Sequence, residues 1–402
     1  MRRRIAWVAS FAVAALAALS ACDVDEAGTG TPVAEPTSPT VPALPATPDA
    51  SMNHEDRQAL LDEERERYGS LGGLAVVRDE DGQWTGVSGV ADLRQAEIDP
   101  DTRFRVGSIT KPIISALILD AVANGELSLD AVVSDLVPGI LRDSPPITVR
   151  MLLDHTSGVF DQTNQGRSGD IDRLPDPQLR AEARSLVRRY ADGEPVIAPD
   201  RLLVALAETH DRYFDPGTGY HYSNINYQLA AMVLEAVTGS PLAALLEERI
   251  VKPLDLQHTT IAPPDTESPE LRGHLPGHRD GQVVDVTDDL IAYGNGGNGG
   301  VVSTGDELLT ITQAIVSGRL LPAPLVADMA AMTPQSNGTY GLGLMKFDLS
   351  CGTFYGHTGR VSGTVSIALA ETHGSRGAVI AFNLASHADP RLPELADRLV
   401  CG

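Results

Sequence analysis

The sequence predicts an α/β (α+β) fold: an antiparallel sheet flanked by helices, formed by both chain ends, with an inserted all-helical domain. Strand-like runs flank an Asp81-Gly82 turn early in the chain, and strand-like runs return after Met345. Between them, residues 150–320 alternate helical stretches with Gly/Pro loops. Strands at both ends therefore form one sheet, and the helical middle is an insertion.

The individual elements follow in chain order. The Asp-Gly turn between residues 74–78 and 84–90 is typical of a β-hairpin. Residues 109–123 form a strongly apolar helical pattern that an Asn-Gly pair ends. Residues 161–199 are polar and rich in charge, which indicates a variable insertion or a long loop. The later predicted elements are a helix over 227–237, strands over 353–356, 364–370 and 377–383, and a closing helix over 389–400.

The composition describes an acidic, globular chain. Of its 402 residues, 42% are hydrophobic, which allows a substantial core, and the formal net charge is −23. This charge argues against nucleic acid as a partner, because phosphates must be neutralised by cations. Lysine occurs only at Lys111, Lys252 and Lys346, so a motif that contains a lysine arises by chance less often here than in an average chain.

The first 22 residues predict a lipoprotein signal peptide. Residues 2–4 are arginines, and residues 5–21 form a mostly small and apolar run that is short for a permanent membrane span. Residues 19–22, Leu-Ser-Ala-Cys, resemble the lipobox of bacterial lipoproteins, which implies lipidation of Cys22 and anchoring at the outer face of the cell membrane. The alternative is an ordinary secretory signal with an incidental cysteine, and the protein would then be secreted.

A linker separates this signal from the globular body. Residues 23–51 are rich in Pro, Thr and Ala, with prolines at nearly regular spacing, which favours an extended, semi-rigid tether. Residues 52–402 form the predicted globular domain, with a helical subdomain at roughly 125–300. If Cys22 is lipidated, Cys351 and Cys401 remain and should form a disulfide in an oxidising compartment. Free thiols or an incomplete metal site are the alternatives.

Ser108 and Lys111 form an S-x-x-K sequence at the start of the predicted helix. Residues i and i+3 share a helix face, so the amine can reach the hydroxyl. A serine hydroxyl needs a neighbouring base to become a nucleophile, and a lysine serves if its site favours the neutral amine. The alternative is a serine cap followed by a solvated lysine.

Two further motifs carry candidate site residues. Tyr222 and Asn224 are two apart in a loop, so both side chains can face one cleft, as a proton shuttle and as a holder of the substrate carbonyl. Alternatively, Asn224 caps the following helix and Tyr222 packs in the core. His357-Thr358-Gly359 precedes a predicted strand among several glycines, which suits a substrate lying along a strand edge. The alternative is a hairpin turn with an incidental histidine.

Together these motifs resemble the S-x-x-K, Y-x-N and H-T-G set of the serine β-lactamase and penicillin-binding superfamily. Residues 152–158 and 340–344 also resemble segments typical of that superfamily, and the resemblance covers residues 52–402. This resemblance implies that the chain is a serine hydrolase that forms an acyl-enzyme, and it implies no metal and no organic cofactor. The catalytic residues it implies are Ser108, Lys111 and Tyr222. The substrate-binding residues it implies are Asn224, His357, Thr358, Gly359 and Arg360, and the backbone N–H groups of Ser108 and Arg360 form the oxyanion hole.

A histidine in the third motif resembles the secreted D-alanyl-D-alanine carboxypeptidases, which implies peptidoglycan stem peptides and β-lactams as ligands. The chain departs from them at Arg360, where a hydroxyl residue is usual, and at Met345, where a basic residue is expected to bind a substrate carboxylate. Arg360 or Lys346 would have to replace that cation. A β-lactamase, an esterase or amidase, and a non-catalytic penicillin- or cell-wall-binding module stay open.

Three other sets of residues resemble functional sites. The Gly-rich segment 293–300 lacks the lysine of a phosphate loop, and we interpret it as a loop facing the active site. His274 and His278 lie among Gly and Pro residues, which favours a surface loop over a metal pair. His155 is predicted to be a buried, hydrogen-bonded structural residue near the site. The sequence makes no prediction of the oligomeric state.

Overall fold

The structure is a computed structural model of the chain. It describes residues 52–141, 145–161, 171–191, 197–261, 271–276, 283–285, 296–361, 363–372, 376–384 and 391–402. The predicted signal peptide, the lipidation site at Cys22 and the predicted linker lie outside the described residues. None of the described helices is by itself long and apolar enough to cross a membrane, although the bent pair Asn224–Thr238 and Leu242–Val251 meets the length and composition criteria.

Both ends of the chain contribute to one central antiparallel sheet. The strands of the described residues are β1 (Ser70–Asp79), β2 (Gly82–Gly89), β3 (Phe104–Arg105), β4 (Thr260–Ile261), β5 (His274–Pro276), β6 (Val283–Asp285), β7 (Val301–Ser303), β8 (Met345–Leu349), β9 (Gly352–Val361), β10 (Thr364–Glu371) and β11 (Gly377–Leu384). Six of them form the sheet in the spatial order β2-β1-β11-β10-β9-β8. The predicted sheet is therefore confirmed.

Helices cover both faces of this sheet. Within the described residues they are α1 (His54–Arg67), α2 (Thr110–Ala123), α3 (Val133–Leu136), α4 (Val149–Leu153), α5 (Pro177–Ala191), α6 (Asp200–Ala207), α7 (Asn224–Thr238), α8 (Leu242–Leu246), α9 (Gly305–Val316), α10 (Ala323–Met329) and α11 (Leu392–Cys401). Along β1, Ala75 and Val77 pack in the layer beneath α1 and α11, whereas Leu74 and Val76 pack beneath α2 and α9. Because alternate residues of a strand face opposite sides, a strand buried on both faces is apolar throughout.

The hairpin turn lies one residue earlier than the Asp-Gly signal predicts. Asp79 pairs with Gly82, so Glu80 and Asp81 form the two-residue turn and Gly82 begins β2. Gly82 has a φ of 129°, which explains why glycine follows the aspartate there. The glycine is needed at the junction of turn and strand.

The predicted long loop over 161–199 is wrong in part, because helix α5 lies within it. Leu179, Ala183 and Leu186 recur at the spacing of one helix face, and Ala183 and Leu186 are buried in the core. Arginines between them hide this apolar stripe in the overall composition. The inserted region is also not all-helical, since β4, β5 and β6 are short strands within residues 125–300.

Cys351 and Cys401 form a disulfide, as predicted. It joins the turn between β8 and β9 to the end of α11, 50 residues further along the chain. Closing a loop of this size is expected to stabilise the fold by about 4 kcal/mol in the chain-entropy model. The bond therefore fixes the C-terminal helix against the edge of the sheet.

Candidate active site

Ser108 and Lys111 lie side by side where the chain enters α2. Ser108 belongs to the 3-10 turn Gly107–Ile109, and Lys111 is the second residue of the helix. Lys111 Nζ lies 2.8 Å from Ser108 Oγ, so the expected contact between residues i and i+3 is confirmed. The serine hydroxyl therefore has a lysine amine as its immediate neighbour.

The Lys111 side chain is fully buried and makes three hydrogen bonds. Besides the contact with Ser108, its Nζ donates to Asn224 Oδ1 at 2.8 Å and to the backbone carbonyl of Asn298 at 2.9 Å. An ammonium has three N–H donors, and all three are used here. A neutral amine that keeps the bonds to Asn224 and Asn298 turns its lone pair towards the Ser108 hydroxyl. Lys111 can therefore exchange a proton with Ser108 without moving.

Tyr222 and Asn224 approach Lys111 from the loop before α7. Ser223 occupies the N-cap position and Asn224 is the first residue of the helix, so the alternative in which Asn224 caps the helix does not hold. The half-buried Tyr222 ring has its centroid 4.9 Å from Lys111 Nζ and 6.0 Å from the centroid of the His357 ring. As predicted, the two residues face the same site.

The H-T-G motif lies inside strand β9, whereas the sequence placed it before a strand. Gly356 pairs with Met345 of β8 on one side and with Leu369 of β10 on the other. Glycines weaken the local strand pattern, but pairing with two neighbours overrides that weakness. The alternative of a hairpin turn is therefore wrong at this position.

Strand β9 lies directly against the turn that carries Ser108. A methyl group added to Gly107, whose φ is 59°, would come within 2.7 Å of Arg360 N. Ser366 of the adjoining strand donates its hydroxyl hydrogen to the carbonyl of Val106 at 3.2 Å. The backbone of Arg360 is therefore close to the Ser108 turn, where an oxyanion hole needs a second N–H donor.

His357 is buried and fully hydrogen-bonded. Its Nδ1 lies 2.5 Å from the carbonyl of Thr358, which can only accept, so Nδ1 carries the hydrogen. Its Nε2 lies 3.1 Å from Tyr340 Oη and accepts from that hydroxyl, because burial raises the pKa of Tyr340 and keeps it protonated. Burial and the nearby Lys111 lower the pKa of His357 to about 3. The third motif therefore contributes a neutral ring at neutral pH.

The neighbours of the third motif determine which cation could meet a substrate. Thr358 Oγ1 donates to Met345 Sδ at 3.8 Å, so an uncharged thioether lies where a carboxylate-binding cation was expected. Lys346 Nζ forms an ion pair with Asp348 at 2.8 Å. Arg360 is half-buried and, by strand alternation, projects from the same face as Thr358. Of these positions, Arg360 is the cation on the face of Thr358.

His155 is a buried structural residue beside the site, as predicted. Its Nδ1 accepts from the backbone N–H of Ser223 at 3.2 Å and from Asn226 Nδ2 at 3.1 Å. Its ring lies 4.4 Å from the ring of Tyr222 and 4.8 Å from that of Tyr340. His155 thereby holds the Tyr222 loop against the core.

Two buried neutral histidines should make stability depend on pH. Burial lowers the pKa of both His155 and His357, so the unfolded chain takes up protons below about pH 6.5 that the folded chain rejects. The free energy of unfolding should therefore fall as the pH drops from 6.5 towards 3, by up to about 1.4 kcal/mol per pH unit for each histidine. Above pH 6.5 neither contributes to the slope. Urea unfolding from pH 4 to 8 measures the slope of the unfolding free energy against pH. The same slope in His357→Gln as in the natural protein would contradict the assignment of His357 as a buried neutral histidine.

Gly359 should tolerate no side chain. A Cβ there would lie closer than van der Waals contact to the carbonyl of Val106 and to Ser366 Oγ. Gly359→Ala is expected to lower the free energy of unfolding by about 1–3 kcal/mol and to displace the Ser108 turn. Denaturant unfolding measures the loss. Gly125→Ala is the control, because a methyl group there meets nothing within 4 Å, although its φ of 72° strains any side chain. Gly359 itself does not have a positive φ, so its loss is expected from the close contacts alone, and a Gly359→Ala protein as stable as the natural one would contradict the prediction.

The sequence missed two contacts that complete the site. Asn298 accepts a hydrogen bond from Lys111 through its backbone carbonyl, which the identity of its side chain could not indicate. The segment 293–300 was expected to face the site, and residues 293–295 of it lie outside the described residues. Asp161 accepts the backbone N–H of Asn224, and only its place three residues after the 152–158 segment could have indicated it. His278 also lies outside the described residues. In the described part of the chain, no group of three or more His, Cys, Asp or Glu side chains could hold a metal ion.

Comparison with known proteins gives the family. The Beta-lactamase family model matches residues 57–400. The structure of a D-stereospecific amidohydrolase from Streptomyces sp. is 31% identical, with a TM-score of 0.72 over 87% of this chain and 99% of that chain. A penicillin-binding protein homologue from Pyrococcus abyssi shares the fold, with 19% identity and a TM-score of 0.68 over 86% of this chain and 76% of that one.

Curated relatives are named hydrolases. The esterase EstB of Burkholderia gladioli is 31% identical over 50% of this chain and 49% of its own length. A D-aminopeptidase of Brucella anthropi is 28% identical over 74% of this chain and 53% of its own length. The chain thus spans about half the length of the curated relatives it matches. Together with the shared fold, the family match over residues 57–400 shows that the chain belongs to the Beta-lactamase family, within the serine β-lactamase superfamily.

Proposed function

We propose that this hydrolase forms an acyl-enzyme on Ser108 and acts on small amides or esters, with D-amino acid derivatives as the first substrate class to test. The observation that carries the proposal is the 2.8 Å contact between Ser108 Oγ and a fully buried Lys111 amine that Asn224 and Asn298 hold in place. A solvated lysine beside a capping serine would not be enclosed in this way. The same geometry argues against a binding module, which needs no activated nucleophile.

The proposed reaction proceeds by acyl transfer. Lys111 accepts the Ser108 proton as Oγ attacks the substrate carbonyl, and the N–H groups of Ser108 and Arg360 stabilise the resulting oxyanion. Tyr222 donates its proton to the leaving amine or alcohol as the bond to the leaving group breaks, and Lys111 passes the proton taken from Ser108 on to Tyr222. Water then gives up a proton to the same groups as it attacks the acyl-enzyme, and that proton passes to Ser108 Oγ as the acid is released.

The uncharged third motif supports amides and esters as substrates. A peptide with a free C-terminal carboxylate needs a cation near the strand edge. Here His357 is neutral above about pH 4, Met345 is uncharged, and Lys346 is paired with Asp348. The relatives named as an amidohydrolase, a D-aminopeptidase and an esterase support the same substrate class.

A carboxypeptidase acting on D-alanyl-D-alanine ends of peptidoglycan peptides is the second candidate. Arg360 favours it, because this guanidinium lies one residue after the motif and on the same face as Thr358. A β-lactamase would use the same acyl-enzyme and would differ in the rate at which water releases it. The three activities are therefore separated by substrate preference and by the lifetime of the adduct.

The test is mass spectrometry of the purified protein after incubation with a fluorescent penicillin, combined with a panel of substrates. The panel contains D- and L-phenylalanine amides, a p-nitrophenyl ester and a peptide ending in D-Ala-D-Ala. We expect a covalent adduct on the peptide that contains Ser108, and faster turnover of the amide or ester than of the D-Ala-D-Ala peptide. Preferential release of D-alanine would favour the carboxypeptidase, and fast adduct hydrolysis a β-lactamase. If neither an adduct nor turnover is observed, a non-catalytic binding module is the remaining function.

We also propose that the mature protein is exported and anchored to the outer face of the membrane through Cys22. The signal-like residues 1–22 support this location, and so does the disulfide between Cys351 and Cys401, since disulfides persist in oxidising compartments. Metabolic labelling with a palmitate analogue tests it. Label that is present in the natural chain and absent in Cys22→Ser supports the anchor, whereas an unlabelled, released protein would indicate simple secretion.

A further inference from the structure

Asp161 is a buried carboxylate that contacts the active-site loop. Its side chain is fully buried, and its Oδ2 accepts the backbone N–H of Asn224 at 2.6 Å, across 63 residues of sequence. Its own backbone N–H donates to Tyr213 Oη at 3.3 Å. Tyr213, which lies in a separate segment of the chain, therefore helps to hold the Asp161 carboxylate in place.

Helix α7 has no cap of its own. Ser223 stands at the N-cap position, where a serine hydroxyl ordinarily accepts an N–H of the first turn. Here it forms no such bond, and among the described residues its buried Oγ has no hydrogen-bond partner. The carboxylate of Asp161 supplies the missing acceptor from elsewhere in the fold, and its negative charge suits a helix N-terminus.

Residues close to Asp161 in the sequence also bond to residues beside Asn224. His155 Nδ1 accepts the N–H of Ser223 at 3.2 Å, and Ser157 Oγ donates to Asn226 Oδ1 at 2.6 Å. The segment Asp154 to Asp161 thus fixes the start of α7 at several points. Of these contacts, the one made by Asp161 falls on Asn224 itself.

We infer that Asp161 is a positioning residue of the active site, which holds Asn224 so that its Oδ1 meets Lys111 Nζ. The inference rests on the proposed roles of Lys111 and Asn224. The N–H of Asn224 is bonded at 2.6 Å to Asp161, and its side-chain oxygen is bonded at 2.8 Å to Lys111. If the backbone of Asn224 shifts, the amine loses one of the two acceptors that direct its lone pair to Ser108. Asp161 thus acts on acylation through Asn224 without touching substrate.

The test compares Asp161→Asn with Asp161→Glu in the complete protein. The asparagine keeps an oxygen acceptor at the same distance and removes the charge, whereas the glutamate keeps the charge and moves the acceptor by one methylene. We expect Asp161→Asn to acylate with the fluorescent penicillin within about tenfold of the natural rate, and Asp161→Glu about 10²-fold more slowly, because small misplacements cost that much. The loss should appear in the acylation rate constant and in kcat, with KM little changed.

Glu235→Ala is the matched stability control. Glu235 Oε1 accepts the backbone N–H of Leu242 at 2.8 Å near the other end of α7, about 16 Å from Asn224 at 1.5 Å per residue. This variant should lower the melting temperature and leave the acylation rate per folded molecule unchanged. Equal acylation by Asp161→Glu and the natural protein, or an asparagine variant as slow as the glutamate one, would overturn the inference. If the natural protein shows no Ser108-dependent acylation, the proposed function fails instead.

Discussion

Ser108→Ala is expected to abolish the penicillin adduct and to lower kcat/KM for the preferred amide or ester by at least about 10⁴-fold. The substitution removes the Oγ atom that Lys111 contacts at 2.8 Å, and the substrate then lacks an acyl acceptor. Intact-mass measurement detects the adduct, and steady-state kinetics measures the residual rate. The fold should be preserved, since the alanine leaves the turn Gly107–Ile109 and its contacts with β9 in place.

Two comparisons make the Ser108 result decisive. Ser317→Ala alters an exposed serine at the end of α9 and should retain full activity. Melting curves of both variants check that lost activity is not lost structure. An adduct of normal mass on Ser108→Ala, or hydrolysis within tenfold of the natural protein, would show that another residue is the nucleophile.

The sequence predicted the sheet and the central pair of the site for local reasons. A lysine three residues after a serine on a helix shares its face, and strand-like runs at both chain ends around a helical middle favour one sheet completed by both ends. The first prediction depends on spacing and the second on the order of the elements along the chain. The same spacing argument brought Tyr222 and Asn224 to one side of the loop, where both meet Lys111.

The features that the sequence missed depend on tertiary contacts. His357 is neutral because burial and the nearby Lys111 lower its pKa, which no local pattern reveals. The histidine lies inside β9 because β10 pairs with it and β8 pairs with the preceding Gly356, although the glycines around it weaken the strand pattern. Asp161 reaches Asn224 across 63 residues, so its function is visible only in the fold.

Lys111→Met is expected to lower kcat/KM by about 10³–10⁴-fold, close to the upper range for removal of a general base. Methionine fills a similar volume without an amine, so Ser108 keeps its place and loses its proton acceptor. Steady-state kinetics across pH 5 to 9 measures the loss. Lys252→Met is the matched control, because Lys252 is an exposed lysine paired only loosely with Glu247 at 3.7 Å, and it should be fully active.

Lys111→Arg separates proton transfer from charge. A guanidinium stays protonated throughout the working pH range, so it preserves the cation beside Ser108 but cannot accept a proton. We therefore expect the arginine variant to be as inactive as the methionine variant. Substantial activity in Lys111→Arg would mean that the cation only stabilises charge in the transition state. The base would then have to be another group at the site, and Tyr222, whose ring lies 4.9 Å from Lys111 Nζ, would be the first to test as its phenylalanine variant.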